Sequence, residues 1–275
     1  MRQKRKKGFK RTSEKGIFIL PNLFTSSSLF CGFFAIISSI QGRYEAAAIA
    51  IVIAAVFDGL DGRIARFTKT TSYFGVEYDS LSDLVSFGVA PAILAFLWAL
   101  QPFGRLGWLA AFMYVICGAL RLARFNVEKS SEVTSYFKGL PIPSAACFLS
   151  SIVLYESSIN GFSESRHIIS IIIIYVLSFL MVSSIRYTSF KEFNIRNQKP
   201  FNMLVAIILI FIVIAYKPNV LLFLILLLYV LSGPVTFLYL SQIKRYKEKD
   251  SLDIISPEGK GEDDFKDFND QEITR

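Results

Sequence analysis

The sequence predicts an all-α polytopic membrane protein: a helix bundle of about eight transmembrane helices, with both termini in the cytoplasm. Two observations support this fold class. First, 53% of the 275 residues are hydrophobic, and they form long apolar runs. That composition is too apolar for an ordinary soluble domain of this size. Second, basic residues concentrate at alternate ends of the apolar runs, which indicates a fixed orientation in a membrane.

Eight segments meet or approach the length of about 20 mostly apolar residues that crosses a bilayer. Gly, Pro and polar residues separate these segments and stop the helices. The seventh segment is short, and the fifth is only weakly apolar. The predicted spans are residues 22–41, 45–66, 76–100, 106–124, 140–156, 167–185, 202–216 and 219–241.

The predicted spans define a transmembrane domain at residues 17–243. This domain has a core at 17–186 and two extra helices at 202–241. A basic segment at 1–16 precedes the domain. Residues 244–275 are charged and short of apolar side chains, a composition that is typical of disordered chains. We therefore expect a disordered C-terminal tail.

The distribution of Lys and Arg predicts which ends of the spans face the cytoplasm. With the N-terminus inside, the inner segments hold 23 of these residues and the outer segments hold four. The basic N-terminus lies directly before a span, so attraction to anionic lipid headgroups explains it better than nucleic-acid binding does. The protein is therefore expected in the inner (cytoplasmic) membrane, with the loops after even-numbered spans facing the cytoplasm.

Four aspartates lie where the second and third predicted spans approach each other. Asp58 precedes Asp61 by three residues, and Asp79 precedes Asp83 by four, so each pair shares one helical face. The short intervening loop makes the two helices antiparallel neighbours. Charged groups at membrane depth are candidates for function, and four converging carboxylates repel one another. Divalent cations relieve that repulsion, and oxygen ligands of this kind suit Mg²⁺ or Mn²⁺.

Glycines and basic residues surround these acids. Each glycine costs a helix about 1 kcal/mol relative to alanine, but it lets a bulky group approach the backbone. Carboxylates, metal and positive charge together indicate pyrophosphate chemistry. The residues concerned are Gly59, Gly62, Gly75, Arg63, Arg66 and Lys69. Two alternatives exist: helix-end charges that reach the membrane interface, and the acidic site of an ion-coupled transporter, which usually lies near mid-bilayer.

The spacing of these residues resembles the signature of the CDP-alcohol phosphotransferase family. Every signature position is matched over 26 residues, in the pattern DxxDGxxAR, eight residues, GxxxDxxxD, which runs from Asp58 to Asp83. Segments at 20–25, 121–126 and 139–143 are similar to the membrane-type branch of that family that uses CDP-diacylglycerol and serine. The resemblance therefore implies the transfer of a phosphatidyl group from CDP-diacylglycerol to an alcohol, most simply L-serine.

The resemblance also assigns roles to the four aspartates. In the family, the first three bind metal, the third bridges two ions, and the fourth is the general base. Here Asp58, Asp61 and Asp79 would hold two divalent ions, Mg²⁺ or Mn²⁺. Asp83 would lie near the second ion and take the proton from the acceptor hydroxyl. The acceptor oxygen would then displace CMP at the lipid-linked phosphorus.

The nucleotide site follows from the same resemblance. Gly62, Ala65 and Gly75 would form a close-packed cytidine pocket, and Arg66 would contact the nucleotide. Asp58 would serve both the metal and the nucleotide. A charged side chain at position 62 would fill the space that the nucleotide needs.

The acceptor site is less defined by the sequence. Serine is zwitterionic, so it needs a cation for its carboxylate. Arg121, Arg124, Asn126 and Lys138 are candidates for the acceptor or for lipid phosphate, and the two arginines would also fit simple positive-inside anchoring. The same chemistry with glycerol 3-phosphate, inositol phosphate or choline as the acceptor remains open, because the basic residues would also suit a phosphorylated alcohol.

The expected partners are therefore CDP-diacylglycerol, L-serine and the lipids of the membrane, and not nucleic acid. Members of the family are often homodimers, so the resemblance also implies a second copy of the chain as a partner. The sequence itself carries no interface signal for that dimer.

Overall fold

The structure is a computed structural model that describes residues 19–68, 72–129, 136–159, 165–188 and 217–255. Within these ranges the chain is almost entirely helical. The chain divides into two compact units, residues 1–233 and 234–275.

The first two helices pack against each other along their length. Helix α1 (Ile19–Ile40) is joined to helix α2 (Tyr44–Thr68) by a tight turn. Gly42 in that turn has a φ of +74°, which glycine adopts readily because it has no Cβ. Small buried side chains on α2 let the neighbouring helices approach closely. They are Ala47, Ala48, Ala50 and Ala54.

The third helical region carries two of the aspartates and changes helical type along its length. Helix α3 (Tyr73–Asp83) begins at the N-cap Ser72, whose hydroxyl accepts the N–H of Gly75 at 3.0 Å. The region continues as a π-helical stretch (Leu84–Val89), helix α4 (Ala90–Ala95), a second π-helical stretch (Phe96–Leu100) and a 3-10 turn (Gln101–Phe103).

Pro91 accounts for the first change of helical type. It has no N–H, so it cannot donate to the carbonyl of Phe87 four residues earlier. The hydroxyl of Tyr114 donates to that carbonyl instead, at 3.2 Å, and both Tyr114 and Phe87 are completely buried. π-Turns occur where the regular α-helical ladder is interrupted in this way. The helix bearing Asp79 and Asp83 is thus fastened to the next helix just beyond the acids.

Three further helices and one short strand pairing complete the bundle up to residue 188. The helices are α5 (Arg105–Lys129), α6 (Ile142–Ile159) and α7 (Ser165–Val182). Strands β1 (Tyr136–Lys138) and β2 (Arg186–Thr188) are antiparallel, with Phe137 opposite Tyr187. Gly139 comes directly after β1, and its N–H donates to the carbonyl of Ile185, directly before β2, at 2.8 Å.

The last described helix, α8 (Pro218–Ile255), belongs to both compact units. Up to Gly233 it packs on the bundle through aromatic contacts: the ring of Phe223 lies 4.8 Å from that of Tyr155 and 5.9 Å from that of Phe148. The second unit begins at Pro234 and contains the remaining turns of the helix.

The predicted membrane character is supported by the helices. Among the described residues, four segments are long and apolar enough to cross a membrane by length and composition, and His167–Val182 is a shorter apolar helix. These five match the first, third, fourth, eighth and sixth predicted spans. Helices α2 and α6 cover the second and fifth predicted spans, but they are not among these apolar segments. Residues 202–216, the seventh, lie outside the described residues, as do residues 1–16. The four long segments are Pro21–Ile40, Tyr73–Phe103, Arg105–Val127 and Pro218–Phe237.

The described residues agree with the all-α class, to which they add the short β1–β2 pairing of three residues in each strand. One boundary differs from the prediction: helix α8 continues to Ile255, whereas the tail is predicted to begin at residue 244. Residues 244–255 contain neither Gly nor Pro and are rich in the good helix formers Lys, Arg and Glu. Extending an existing helix also avoids the cost of nucleation. Residues 256–275 lie outside the described part of the chain.

The contact between α1 and the first π-helical stretch depends on Gly32. A Cβ at this position would lie 2.7 Å from the Cα of Ser86. A hydrogen bond from Ser86 Oγ to the Ser28 carbonyl, at 3.1 Å, holds the same interface. Ser28 Oγ in turn donates to the Ala54 carbonyl on α2, also at 3.1 Å. Since Ser86 is three residues from Asp83, this contact sets where the acid-bearing helix lies.

We expect Gly32→Ala to lower the stability of the bundle by about 1–3 kcal/mol, because the added methyl group overpacks a backbone contact. The measurement is thermal unfolding of the detergent-solubilised protein. Gly59→Ala is the matched control, since nothing lies within 4 Å of a Cβ at position 59. An equal melting temperature for the two variants would contradict the close contact at Gly32.

Candidate active site

The four aspartates converge at the junction of α2 and α3. One carboxylate oxygen from each of Asp58, Asp61 and Asp79 lies within 4.8 Å of the others. The carboxyl group of Asp83 shares a hydrogen bond with that of Asp58. Asp61 is 5% exposed, and the other three are half-buried. The four carboxyl groups therefore lie together, and their roles as metal ligands and general base stay predictions.

The donors in this cluster suit a hard divalent cation. Carboxylate oxygens are the ligands that Mg²⁺, Mn²⁺ and Ca²⁺ prefer, whereas zinc sites usually include His or Cys. Among the described residues, the group that could hold a metal ion consists of aspartates alone. Three carboxylates this close repel one another in a partly buried site, and a divalent cation would offset that repulsion.

Helix α1 supplies a polar side chain to the cluster. The hydroxyl of Thr25 donates to Oδ2 of Asp61 at 2.8 Å, and Thr25 is buried. The carbonyl of Thr25 in turn accepts the hydroxyl of Ser82 at 3.1 Å. Thr25 therefore joins all three helices and fixes the orientation of one carboxylate, as an outer hydrogen-bonding partner does at metal sites.

The sequence alone does not assign a role to Thr25. The feature that could have drawn attention to it is a repeat of small residues, since Thr25, Ser28 and Gly32 share one face of a helix. That face predicts close helix packing in a membrane, and it does not reveal which side chain the hydroxyl reaches. The contact with Asp61 joins residues that are 36 positions apart, so it becomes visible only in the structure.

The glycines differ in their surroundings. A Cβ at Gly59 or Gly62 would meet nothing within 4 Å, so the surface of α2 beside the acids is open. At Gly75, a Cβ would lie 3.2 Å from the Ser72 hydroxyl and 3.4 Å from Oδ1 of Asn22. Gly62 thus borders free space, whereas Gly75 lies close to the N-cap of α3 and to α1.

The other predicted nucleotide-binding residues follow Gly62 on the same helix. Ala65 is half-buried near the end of α2. The backbone of Arg66 lies in α2, and its side chain is outside the described part of the structure. Their proposed contacts with the nucleotide therefore stay predictions.

The described candidate acceptor residues, Arg121, Arg124 and Asn126, lie on α5 and have different neighbours. Arg121 on α5 is buried, at 8% exposed, and its charge interacts with Asp83. Arg124 donates to the carbonyl of Val182 at 3.4 Å, and Asn126 donates to the hydroxyl of Ser80 at 2.9 Å. Lys138 lies in strand β1, and its side chain is not described. Of the described candidates, Arg121 has a charge interaction with Asp83 of the carboxylate cluster. The hydrogen bond of Arg124 joins α5 to α7, and that of Asn126 joins α5 to α3.

The fold and the carboxylate cluster agree with a comparison to known families. A family model described as CDP-alcohol phosphatidyltransferase matches residues 18–182, which is more than half of the chain. The matched region covers α1 to α7 and contains all four aspartates. The chain therefore belongs to the CDP-alcohol phosphatidyltransferase family, and the resemblance seen in the sequence is confirmed.

Relatives within and beyond bacteria carry closely related names. A CDP-diacylglycerol–serine O-phosphatidyltransferase of Helicobacter pylori is 37% identical over 225 residues, covering 82% of this chain and 93% of the relative. A Bacillus subtilis protein of the same name is 38% identical over 179 residues, covering 65% of this chain and 94% of the relative. An archaetidylserine synthase of Methanothermobacter thermautotrophicus is 42% identical over 170 residues, covering 61% and 69%.

We expect Thr25→Val to weaken binding of a divalent cation about 10-fold, because Asp61 loses the partner that orients its carboxylate. Mn²⁺ binding followed by electron paramagnetic resonance measures this effect without an activity assay. Ser27→Ala is the control, since its hydroxyl bonds the carbonyl of Leu23 within α1. Equal Mn²⁺ affinity in both variants would show that Thr25 has no part in holding the ion.

Proposed function

We propose that the protein transfers the phosphatidyl group of CDP-diacylglycerol to L-serine, giving phosphatidylserine and CMP. The observation that carries the proposal is the convergence of four carboxylates at the α2–α3 junction of a chain from this family. The choice of serine is supported by the relatives, two of which are named as serine O-phosphatidyltransferases. The archaeal relative is named for a product that also contains serine.

Asp58, Asp61 and Asp79 would hold the divalent metal, Mg²⁺ or Mn²⁺, with two ions in the full site. One oxygen from each carboxylate lies within 4.8 Å of the other two. When bound, the metal would supply positive charge to offset the negative charge of the pyrophosphate and of the leaving CMP. Thr25 holds the Asp61 carboxylate in its orientation.

Asp83 acts as the general base. It lies one helical turn from Asp79 and contacts Asp58, so it borders the metal ligands. Its carboxylate takes the proton of the serine hydroxyl as the serine oxygen forms a bond to the phosphorus that bears the diacylglycerol. The bond between that phosphorus and the oxygen of CMP breaks in the same displacement, and CMP leaves with the electron pair.

The nucleotide lies along the open surface of α2. Gly59 and Gly62 leave space for it, and the resemblance to the family signature assigns Ala65, Arg66 and Gly75 to the same nucleotide site. Because a side chain at position 62 would occupy this space, the glycine there serves substrate binding and not helix stability.

The charges near Asp83 favour an acceptor alcohol that carries a carboxylate over one that carries a phosphate. A phosphorylated acceptor needs several cations beside the metal ligands, whereas the charge of one buried arginine, Arg121, interacts with Asp83 among the described candidates. Glycerol 3-phosphate, inositol phosphate and choline are therefore the alternative acceptors to be tested beside serine. A transporter is disfavoured because the family is one of transferases.

The reaction takes place at the cytoplasmic face of the inner membrane, where nucleotide-linked substrates are available. This orientation rests on the distribution of basic residues and on an even number of spans, eight in total. A homodimer is part of the proposal through family membership alone.

The direct test is incorporation of labelled serine into lipid by purified protein in detergent with CDP-diacylglycerol. We expect product with Mg²⁺ or Mn²⁺, none in excess chelator, and recovery when metal is restored. Asp58→Asn, Asp61→Asn and Asp79→Asn should each lose nearly all turnover while still inserting into membranes. Full activity in chelator would end the metal-assisted proposal, and preference for another alcohol in parallel assays would end the choice of serine.

Asp83→Asn should separate proton transfer from metal binding. Turnover should fall about 100-fold or more, as when a general base is removed. Affinity for CDP-diacylglycerol should stay close to that of the unaltered protein, because three carboxylates still hold the metal. In Asp61→Asn, both affinity and turnover should fall. If Asp83→Asn lost lipid affinity as severely as Asp61→Asn, Asp83 would be a metal ligand first and the base would be another group.

A further inference from the structure

Helix α3 is hydrogen-bonded to α1 by the side chains that lie on either side of Asp79. Ser82, three residues after Asp79, is 1% exposed, and its hydroxyl donates to the carbonyl of Thr25 at 3.1 Å. Tyr78 immediately precedes Asp79, and its hydroxyl lies 2.8 Å from Oγ of Ser26. Because residues four apart share one face of a helix, Tyr78 and Ser82 turn the same face of α3 toward α1.

The direction of the Tyr78 hydrogen bond follows from the protons that its partner carries. The hydroxyl of Ser26 has one proton, which it donates to the carbonyl of Asn22 at 2.8 Å. The Tyr78 hydroxyl is therefore the donor in its contact with Ser26. The ring of Tyr78 is also stacked on that of Phe74, with centroids 5.9 Å apart and planes at 11°. Tyr78 is thus held by its ring as well as by its hydroxyl.

These contacts fix the rotation of α3 about its own axis. Successive residues of an α-helix point about 100° apart around that axis. With Tyr78 and Ser82 facing α1, Asp79 points to one side of the contact. One of its carboxylate oxygens there lies within 4.8 Å of those from Asp58 and Asp61 on α2. Without the two hydrogen bonds, α3 would be freer to turn and to carry the Asp79 carboxylate away from that position.

A fixed rotation of α3 matters most for a cation with strict geometry. Mg²⁺ demands near-octahedral coordination at about 2.0–2.1 Å, whereas Ca²⁺ accepts flexible arrangements of about six to eight oxygens at about 2.3–2.6 Å. Selectivity between the two ions therefore depends on how rigidly the protein holds its ligands. A site with one carboxylate on a loosely held helix would lose affinity for Mg²⁺ before it lost affinity for Ca²⁺.

We propose that Ser82 and Tyr78 are positioning residues that make the aspartate site selective for Mg²⁺ over Ca²⁺, by holding α3 in one rotation. The inference rests on the metal-assisted reaction proposed above, and it adds which residues outside the carboxylates decide the choice of ion. Both side chains act through the backbone of α3 on the Asp79 carboxylate, and not as ligands.

Displacement of Mn²⁺ by Mg²⁺ and by Ca²⁺ measures this selectivity without an activity assay. Electron paramagnetic resonance follows the bound Mn²⁺ on the purified protein in detergent. In Ser82→Ala we expect the affinity for Mg²⁺ to fall about 3- to 10-fold, the range for the loss of one hydrogen bond. The affinity for Ca²⁺ should change less than about 2-fold, because a more flexible site still satisfies that ion.

Tyr78→Phe tests the second contact, because it keeps the ring and removes only the hydroxyl. The ratio of Mg²⁺ to Ca²⁺ affinity should fall by about 2-fold, the low end of the range for one hydrogen bond, since this bond is exposed to solvent.

Ser28→Ala is the matched control. Ser28 is also 1% exposed, and its hydroxyl donates to a carbonyl on a neighbouring helix, that of Ala54 on α2, at the same 3.1 Å. Ser28→Ala and Ser82→Ala should therefore lose similar amounts of thermal stability. Only Ser82→Ala should lower the ratio of Mg²⁺ to Ca²⁺ affinity, whereas a purely structural role would move the ratio equally in both.

An unchanged ratio in Ser82→Ala, or an equal shift in Ser28→Ala, would overturn the positioning role. If Ser82→Ala failed to insert into membranes, Tyr78→Phe would decide, and an unchanged ratio in that variant would end the proposal. If the unaltered protein bound no Mn²⁺, the metal site of the proposed function would fail instead. That result differs from Mn²⁺ binding with an unshifted preference, so the two failures are distinguishable.

Discussion

Repulsion among four carboxylates gathered inside a membrane bundle is the constraint on which the site depends. Asp58, Asp61, Asp79 and Asp83 come from two helices that could separate to relieve it. Helix α1 opposes that separation, because Thr25 bonds a carboxylate on α2 and accepts the hydroxyl of Ser82 beside the acids on the next helix. The packing of small residues between these helices supplies the rest of the restraint. The bundle therefore holds the acids together, and a divalent cation bound there would offset their negative charge.

The aspartate cluster could be predicted from the sequence because its geometry is local. Spacings of three and four residues place side chains on one helical face, and a short loop brings two such faces together. The family signature between Asp58 and Asp83 adds the chemical roles. Most helix positions were also predictable, because apolar runs of membrane length have few alternative structures in lipid. Within the described residues, the end of the last helix differs from what composition predicts, because good helix formers extend α8 to Ile255 although their charge suggests disorder.

The remaining features depend on contacts between residues distant in the sequence. Thr25 and Asp61 lie on different helices, as do Tyr114 and the carbonyl of Phe87. Hydrophobic periodicity reports which face of a helix is buried, but it does not report which neighbour that face meets. The candidate acceptor residues show the same limit. Charge alone ranks Arg121 and Arg124 equally, whereas in the structure Arg121 is buried and Arg124 donates to the carbonyl of Val182 at the end of α7.

The π-helical stretch between Asp83 and Pro91 divides one helix into two parts. Side chains in the second part are rotated around the helix axis relative to their positions in a continuous α-helix. A π-turn accommodates one residue more than an α-turn, which rotates all following side chains by about 100° around the axis. The part that carries Asp79 can thus face the other acids while the part beyond Pro91 buries a different stripe of its sequence. A helical wheel drawn through the whole segment would misplace one of the two parts. A one-residue insertion or deletion in a relative at this point would therefore change which side chains of the following helix face the core. It would not add or remove a whole helical turn.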